Sequence, residues 1–188
     1  MEWQDYLKEH RQRFIDELLA FIKIPSISAQ SEYVDDVYQA GEWFTKRLKA
    51  TGLNNVQLMS TGGHPVVYGE WIQDPDLPTV LIYGHFDVQP VDPLELWESP
   101  PFDPVILNEC IYARGASDDK GNLMSPVAAI EALLQTTGQL PVNLKFFADG
   151  QEEIGSPQLP KFVAENKALL ACDLVVSADG LQWSIDQP

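Results

Sequence analysis

The stretch Arg114-Gly115-Ala116-Ser117-Asp118-Asp119-Lys120-Gly121 sets two adjacent carboxylates between glycines. His85-Phe86-Asp87 lies before it; Asp149-Gly150-Gln151-Glu152-Glu153-Ile154-Gly155-Ser156 and then Asp179 lie after it. Acidic groups gathered without nearby bases repel one another, and a bound cation reverses that balance. The pattern points to a carboxylate-rich metal site and, with it, to metal-assisted hydrolysis.

Each cluster also has a plainer reading. His85 and Asp87 fall on one side of an extended segment, where the carboxylate can accept from the imidazole N–H not facing a metal. The alternative is a strand-end histidine bonded to backbone. Asp118-Asp119 could cap the helix that follows, but a cap leaves Gly115 and Gly121 unexplained. Glycines there permit close backbone approach and unusual dihedrals. A carboxylate so held could place one oxygen on each of two ions. Adjacent glutamates such as Glu152 and Glu153 usually mark only solvent exposure. In a metal crevice they can divide roles, one ligating while the other takes a proton from water.

Other chemistries lack their signatures. The chain has no Gly-x-Ser-x-Gly elbow, no phosphate-binding glycine loop and no His-Glu-x-x-His, the patterns expected of α/β-hydrolases, nucleotide binders and zincins. Ser117 has no histidine near it in sequence, and surface roles are expected for His10 and His64. Cys110 and Cys172 lack Cys-x-x-Cys spacing, so they read as buried free thiols rather than a disulfide or a zinc knuckle. A formal net charge of -16 excludes nucleic acid and anionic membrane as partners. No apolar run approaches the roughly 20 residues of a membrane helix. Met1-Glu2-Trp3-Gln4-Asp5 lacks the order of a signal peptide, and the cytoplasm is the expected location.

At 188 residues and 45% hydrophobic, the chain is long enough for one domain with a real core. Trp3, Tyr6, Leu7, Phe14, Leu18, Phe21 and Ile22 recur at helical spacing, predicting a helix over 3–23 that Pro25 stops. A second helix is predicted over 34–50, ended by Thr51-Gly52. Strands are expected over 56–58, 66–71, 79–83, 111–113, 142–148 and 173–177. The proline-rich 90–104 reads as an ordered loop over the sheet edge. Helices are predicted from about Leu123 to Gly138, with Pro126 kinking the first turns or marking a later start, and over 159–170. The strand–helix alternation predicts an α/β three-layer sandwich around a mostly parallel sheet. His85 and Asp87 would follow one strand, Asp149, Glu152 and Glu153 a second, and Asp179 a third. Open α/β sheets bind ligands outside the carboxyl ends of their strands, so these groups can converge on one crevice.

Gly84 to Pro90, Trp97 to Pro104, Arg114 to Gly121, Asp149 to Ser156 and Ser177-Ala178-Asp179 resemble, in order and spacing, the co-catalytic zinc exopeptidases. That family includes carnosinase-like dipeptidases, acetylornithine deacetylase, succinyl-diaminopimelate desuccinylase and glutamate carboxypeptidases. The Val-Gln-Pro and Asp-Asp-Lys-Gly variants look most like the dipeptidase branch. The resemblance implies two zinc ions, with manganese or cobalt as alternatives. His85 and Asp179 would hold one ion, Glu153 the other, and Asp118 would bridge them. Asp87 would orient His85, Glu152 would be general base and then general acid, and the Asp118–Asp119 peptide would be cis. The implied activity is hydrolysis of dipeptides, with N-acyl-amino-acid deacylation or a non-catalytic metal-binding module as alternatives.

The same resemblance implies a further metal-ligating histidine beyond position 188, and no histidine follows Asp179. Residues 1–188 would then be the N-terminal part of the catalytic domain, truncated and inactive alone. A lid domain, through which the family forms homodimers, and a C-terminal catalytic segment would be absent.

Overall fold

The computed structural model describes residues 1–180. Helices α1 (Trp3–Glu9), α2 (Arg11–Ile22) and α3 (Val34–Thr51) lead into strands β1 (Asn54–Met59), β2 (Val66–Trp71) and β3 (Thr79–His85). The short strands β4 (Val105–Leu107) and β5 (Cys110–Tyr112) form a hairpin. Then come α4 (Lys120–Thr137), β6 (Asn143–Asp149), α5 (Leu159–Glu165), α6 (Lys167–Leu170) and β7 (Leu174–Ser177).

The main sheet has the order β1-β2-β6-β3-β7. β6 is central and buried at every position, its Asn143, Lys145 and Asp149 included, as expected of a strand covered on both faces. β6, β3 and β7 are mutually parallel, whereas β1 and β2 add antiparallel strands on the other side. Alternation along each strand supplies two cores. Ile82 and Phe146 pack with Phe21, Phe44, Leu48, Leu123 and Val127 from α2, α3 and α4. Leu81 and Phe147 face Phe162 of α5 and Leu170 of α6. Helices therefore cover both faces, giving the expected three layers.

Several boundaries differ from the sequence reading. The first helix is two, parted at His10 (φ -100°, ψ 10°), and the break lets both halves contact α4. The helix over 159–170 is also two, because the Asn166 side chain donates to the Phe162 carbonyl and caps the first half. α4 begins at Lys120, earlier than expected, with Pro126 inside it. Proline in its second turn forgoes one backbone hydrogen bond, while buried hydrogen bonds from Lys120 anchor the start. β4 is an addition: Asn108 and Glu109 both take positive φ, 51° and 64°, closing a two-residue hairpin. The loop 90–104 is ordered as expected and tied to Arg114, which bonds the carbonyls of Pro90 and Pro101. Both cysteines are free, but Cys110 is exposed and Cys172 half-buried, correcting the expectation of buried thiols. Among the described residues no helix is long and apolar enough to cross a membrane.

Candidate metal centre

Because β3, β6 and β7 run parallel, their carboxyl ends share one edge. His85 ends β3 beside its register partner Asp149, which ends β6, and Asp179 lies just past β7. The turn into α4 brings Asp118 and Asp119 to the same edge. Around His85 Nε2 lie Asp118 Oδ1 at 3.0 Å, Asp179 Oδ2 at 3.9 Å and Glu152 Oε2 at 4.0 Å. Two sets of donors, His85–Glu152–Asp179 and His85–Asp118–Glu153, each have ligating atoms within 4.8 Å of one another. Five of the six expected residues are thus brought together, with His85 common to both sets, and the sixth, Asp87, lies beside His85. These distances do not separate Glu152 as base from Glu153 as ligand.

The turn from 114 to 121 uses its glycines in two ways. Gly115 sits at φ +80°, and a Cβ on Gly121 would fall 2.0 Å from the Ala116 carbonyl oxygen. The Asp118–Asp119 peptide is cis. Asp119 turns inward, fully buried, and its Oδ2 accepts the His85 backbone N–H at 2.9 Å. Lys120, also fully buried, donates to the carbonyls of Phe21 and Ile24 at the end of α2. The Asp118 side chain, by contrast, is 61% exposed at the mouth of the cluster.

Asp87 has a second job besides facing the imidazole. His85 Nδ1 lies 3.1 Å from the Asp87 carbonyl oxygen and 3.4 Å from Oδ1. The two carboxylate oxygens of Asp87 also accept the backbone N–H groups of Glu152 and Glu153. Asp149 serves its own loop, accepting the Ser156 hydroxyl at 2.6 Å and the Gln151 N–H at 3.2 Å. Asp119, Lys120 and the loop-holding roles of Asp87 and Asp149 escaped the sequence reading. The partners of Asp87, Asp119 and Lys120 are distant backbone groups that no local motif marks, whereas Asp149 acts within the loop it heads.

The electrostatics describe a site that wants positive charge. Burial would push the His85 imidazole down, but the Asp87 hydrogen bond and the charges of Asp87, Asp119 and Asp118 prevail, raising it to about 10. Burial raises Asp119 to about 7 and Asp149 to about 6, and it shifts Glu152 and Glu153 upward as well. Without a cation, the cluster holds protons to relieve its own repulsion. One imidazole nitrogen among several carboxylates is a donor set that fits a divalent ion.

The sequence profile of peptidase family M20/M25/M40 matches residues 81–185, more than half of the chain and inclusive of every clustered residue. The chain belongs to this family. It is 34% identical over 175 residues to the Cys-Gly metallodipeptidase DUG1 of Candida albicans, covering 86% of this chain and 36% of that protein. The crystal structure of human carnosine dipeptidase 1 superposes with a TM-score of 0.88 at 30% identity, over 94% of this chain and 40% of that one. The M20 family metallo-carboxypeptidase Sso-CP2 from Sulfolobus solfataricus superposes with a TM-score of 0.82 at 40% identity, over 90% and 38%. This chain therefore spans well under half the length of the M20 relatives it matches.

Proposed function

We propose that this chain carries the metal centre of a metal-dependent hydrolase that cleaves the amide bond of dipeptides. What supports this most is the convergence of His85, Asp118, Glu152, Glu153 and Asp179 at the carboxyl edge of three parallel strands. In this reading His85, Asp118, Glu153 and Asp179 would hold the ions, His85 and Asp179 one of them and Glu153 the second, with Asp118 able to serve both. Zinc is the proposed metal, with manganese or cobalt as oxygen-tolerant alternatives. The ions supply Lewis acidity, polarising the scissile carbonyl and lowering the pKa of the attacking water.

The chain's own groups do the rest. Nδ1 of His85 is held by Asp87, which leaves Nε2 facing the carboxylates as the donor to the ion. The Glu152 side chain is 38% exposed and its pKa is raised by burial, so it can accept a proton and later return it. It takes the proton from the attacking water and passes it to the leaving amine. The remaining ligands and the substrate-contacting groups would come from sequence outside residues 1–188, so this chain alone would be inactive. Two free cysteines, one of them exposed, support a reducing, cytoplasmic setting.

The test uses a polypeptide of the relatives' length that carries this chain, assayed on Cys-Gly and β-Ala-His. Glu152→Ala is expected to lower turnover by about 10²–10⁴-fold with metal content unchanged. Undiminished turnover would remove Glu152 from the chemistry. The 40% identity to a metallo-carboxypeptidase favours a second reading, removal of a C-terminal residue from longer peptides. Cleavage of an N-blocked tripeptide in preference to a dipeptide selects that reading.

A further inference from the structure

The segment leaving β3 alternates its side chains. Phe86 and Val88 are fully buried, and their backbone is pinned from behind: Val88 N–H donates to Ser26 O at 2.9 Å and Ser26 Oγ to Phe86 O at 2.6 Å. His85, Asp87 and Gln89 take the other side, as the two-residue period of extended backbone requires. The third of these makes a paired contact. Gln89 Nε2 donates to the Glu153 carboxylate Oε2 at 2.7 Å and to the Glu153 carbonyl oxygen at 3.1 Å.

Resting on the metal-centre reading above, we propose that Gln89 is a positioning residue that fixes the Glu153 carboxylate for metal binding. Asp87 holds the Glu153 backbone through its N–H, and Gln89 holds the carbonyl and the carboxylate. The same residue is thus gripped at three points from one rigid segment. A carboxylate on a flexible glutamate stem otherwise loses side-chain entropy when it ligates. The Gln89 amide removes much of that cost in advance, and because it occupies one oxygen it favours ligation through the other. Partners of this kind behind a metal ligand typically change metal affinity by about 10–100-fold.

The experiment titrates zinc calorimetrically into a polypeptide of the relatives' length that carries this chain, as the wild-type parent, Gln89→Met and Glu153→Ala. Gln89 is exposed and methionine keeps its length, so the thermal melt should stay near wild type. Gln89→Met is expected to weaken by about tenfold or more the ion that Glu153→Ala removes, while leaving the ion at His85 and Asp179 unchanged. Wild-type affinity in Gln89→Met, with the Glu153-dependent ion present in the parent chain, overturns the positioning role alone. A parent chain that takes up no zinc, or one indifferent to Glu153→Ala, overturns the ligand reading and this inference with it.

Discussion

The Asp87 carboxylate accepts the backbone N–H of Glu152 at 3.0 Å, and its other oxygen accepts that of Glu153 at the same distance. A residue two positions past His85 therefore sets the backbone position of both Glu152 and Glu153. Asp87→Ala would leave two N–H groups in a half-buried turn without acceptors, at a cost of up to about 1–3 kcal/mol each. The expected result in urea denaturation is a lower midpoint together with lost zinc uptake. Asp87→Asn keeps one acceptor oxygen and should fall between. If Asp87→Ala unfolds at the wild-type midpoint, the clamp contributes nothing.

Gly121→Ala tests the turn that carries Asp118. The new methyl would fall 2.0 Å from the Ala116 carbonyl oxygen, a backbone atom that can move only with the turn. Overpacking of this kind costs about 1–3 kcal/mol, and here the displacement passes directly to the cis Asp118–Asp119 unit. Weaker zinc binding alongside a lower melting temperature is expected by calorimetry. Unaltered affinity and stability would mean that the turn adapts without moving Asp118.

The site was legible because its residues sit at strand ends. The apolar run 79–83 and the segment 142–148 both read as strands, so His85 and Glu152–Glu153 could be placed at one edge before any coordinates. Asp119 and Lys120 were not, because their partners, His85 N–H and the carbonyls of Phe21 and Ile24, are brought near only by tertiary packing. The breaks at His10 and Asn166 were hidden for a related reason. Apolar periodicity continues across both positions, and the change in direction depends on what each half packs against. β4 was missed because Asn108-Glu109 is a weaker hairpin signal than Asn-Gly.

A second buried cluster, where helices α1 to α4 meet, gives a pH prediction. Glu131 on α4 receives Arg13 of α2, Arg47 of α3 and the Tyr6 hydroxyl of α1, so one carboxylate ties four helices. Burial pushes its carboxyl up, but the Arg13 hydrogen bond and the Arg47 charge prevail and hold it below the ordinary 4.5. A carboxyl depressed on folding contributes stability that is full above its unfolded value and lost as pH falls through its folded one. Glu131→Gln leaves Arg47, only 5% exposed, with Glu17 as its remaining charge partner, a loss of about 1.5–3 kcal/mol for a hydrogen bond between charged groups. The gap between wild type and Glu131→Gln in denaturant melts should be constant above pH 4.5 and close below it. A gap that widens on acidification contradicts this assignment.

Edge strand β7 carries the last prediction. Leu174, Val175 and Val176 are 57%, 58% and 44% exposed, so among the described residues both faces of the strand lack cover. Among the described residues β7 pairs on one side only, with β3, and an apolar strand with an open edge is a template for pairing with another chain. The chain is expected to self-associate as its concentration rises, by light scattering, despite a net charge of -16 that opposes association. Val175→Lys should suppress this, because a charge on an exposed edge blocks edge-to-edge pairing. Its effect on stability should stay within about 0.5 kcal/mol, as for other exposed positions. If the parent chain remains monodisperse at high concentration, the edge is not adhesive. If Val175→Lys lowers the melting temperature substantially, β7 is better packed than its exposure indicates.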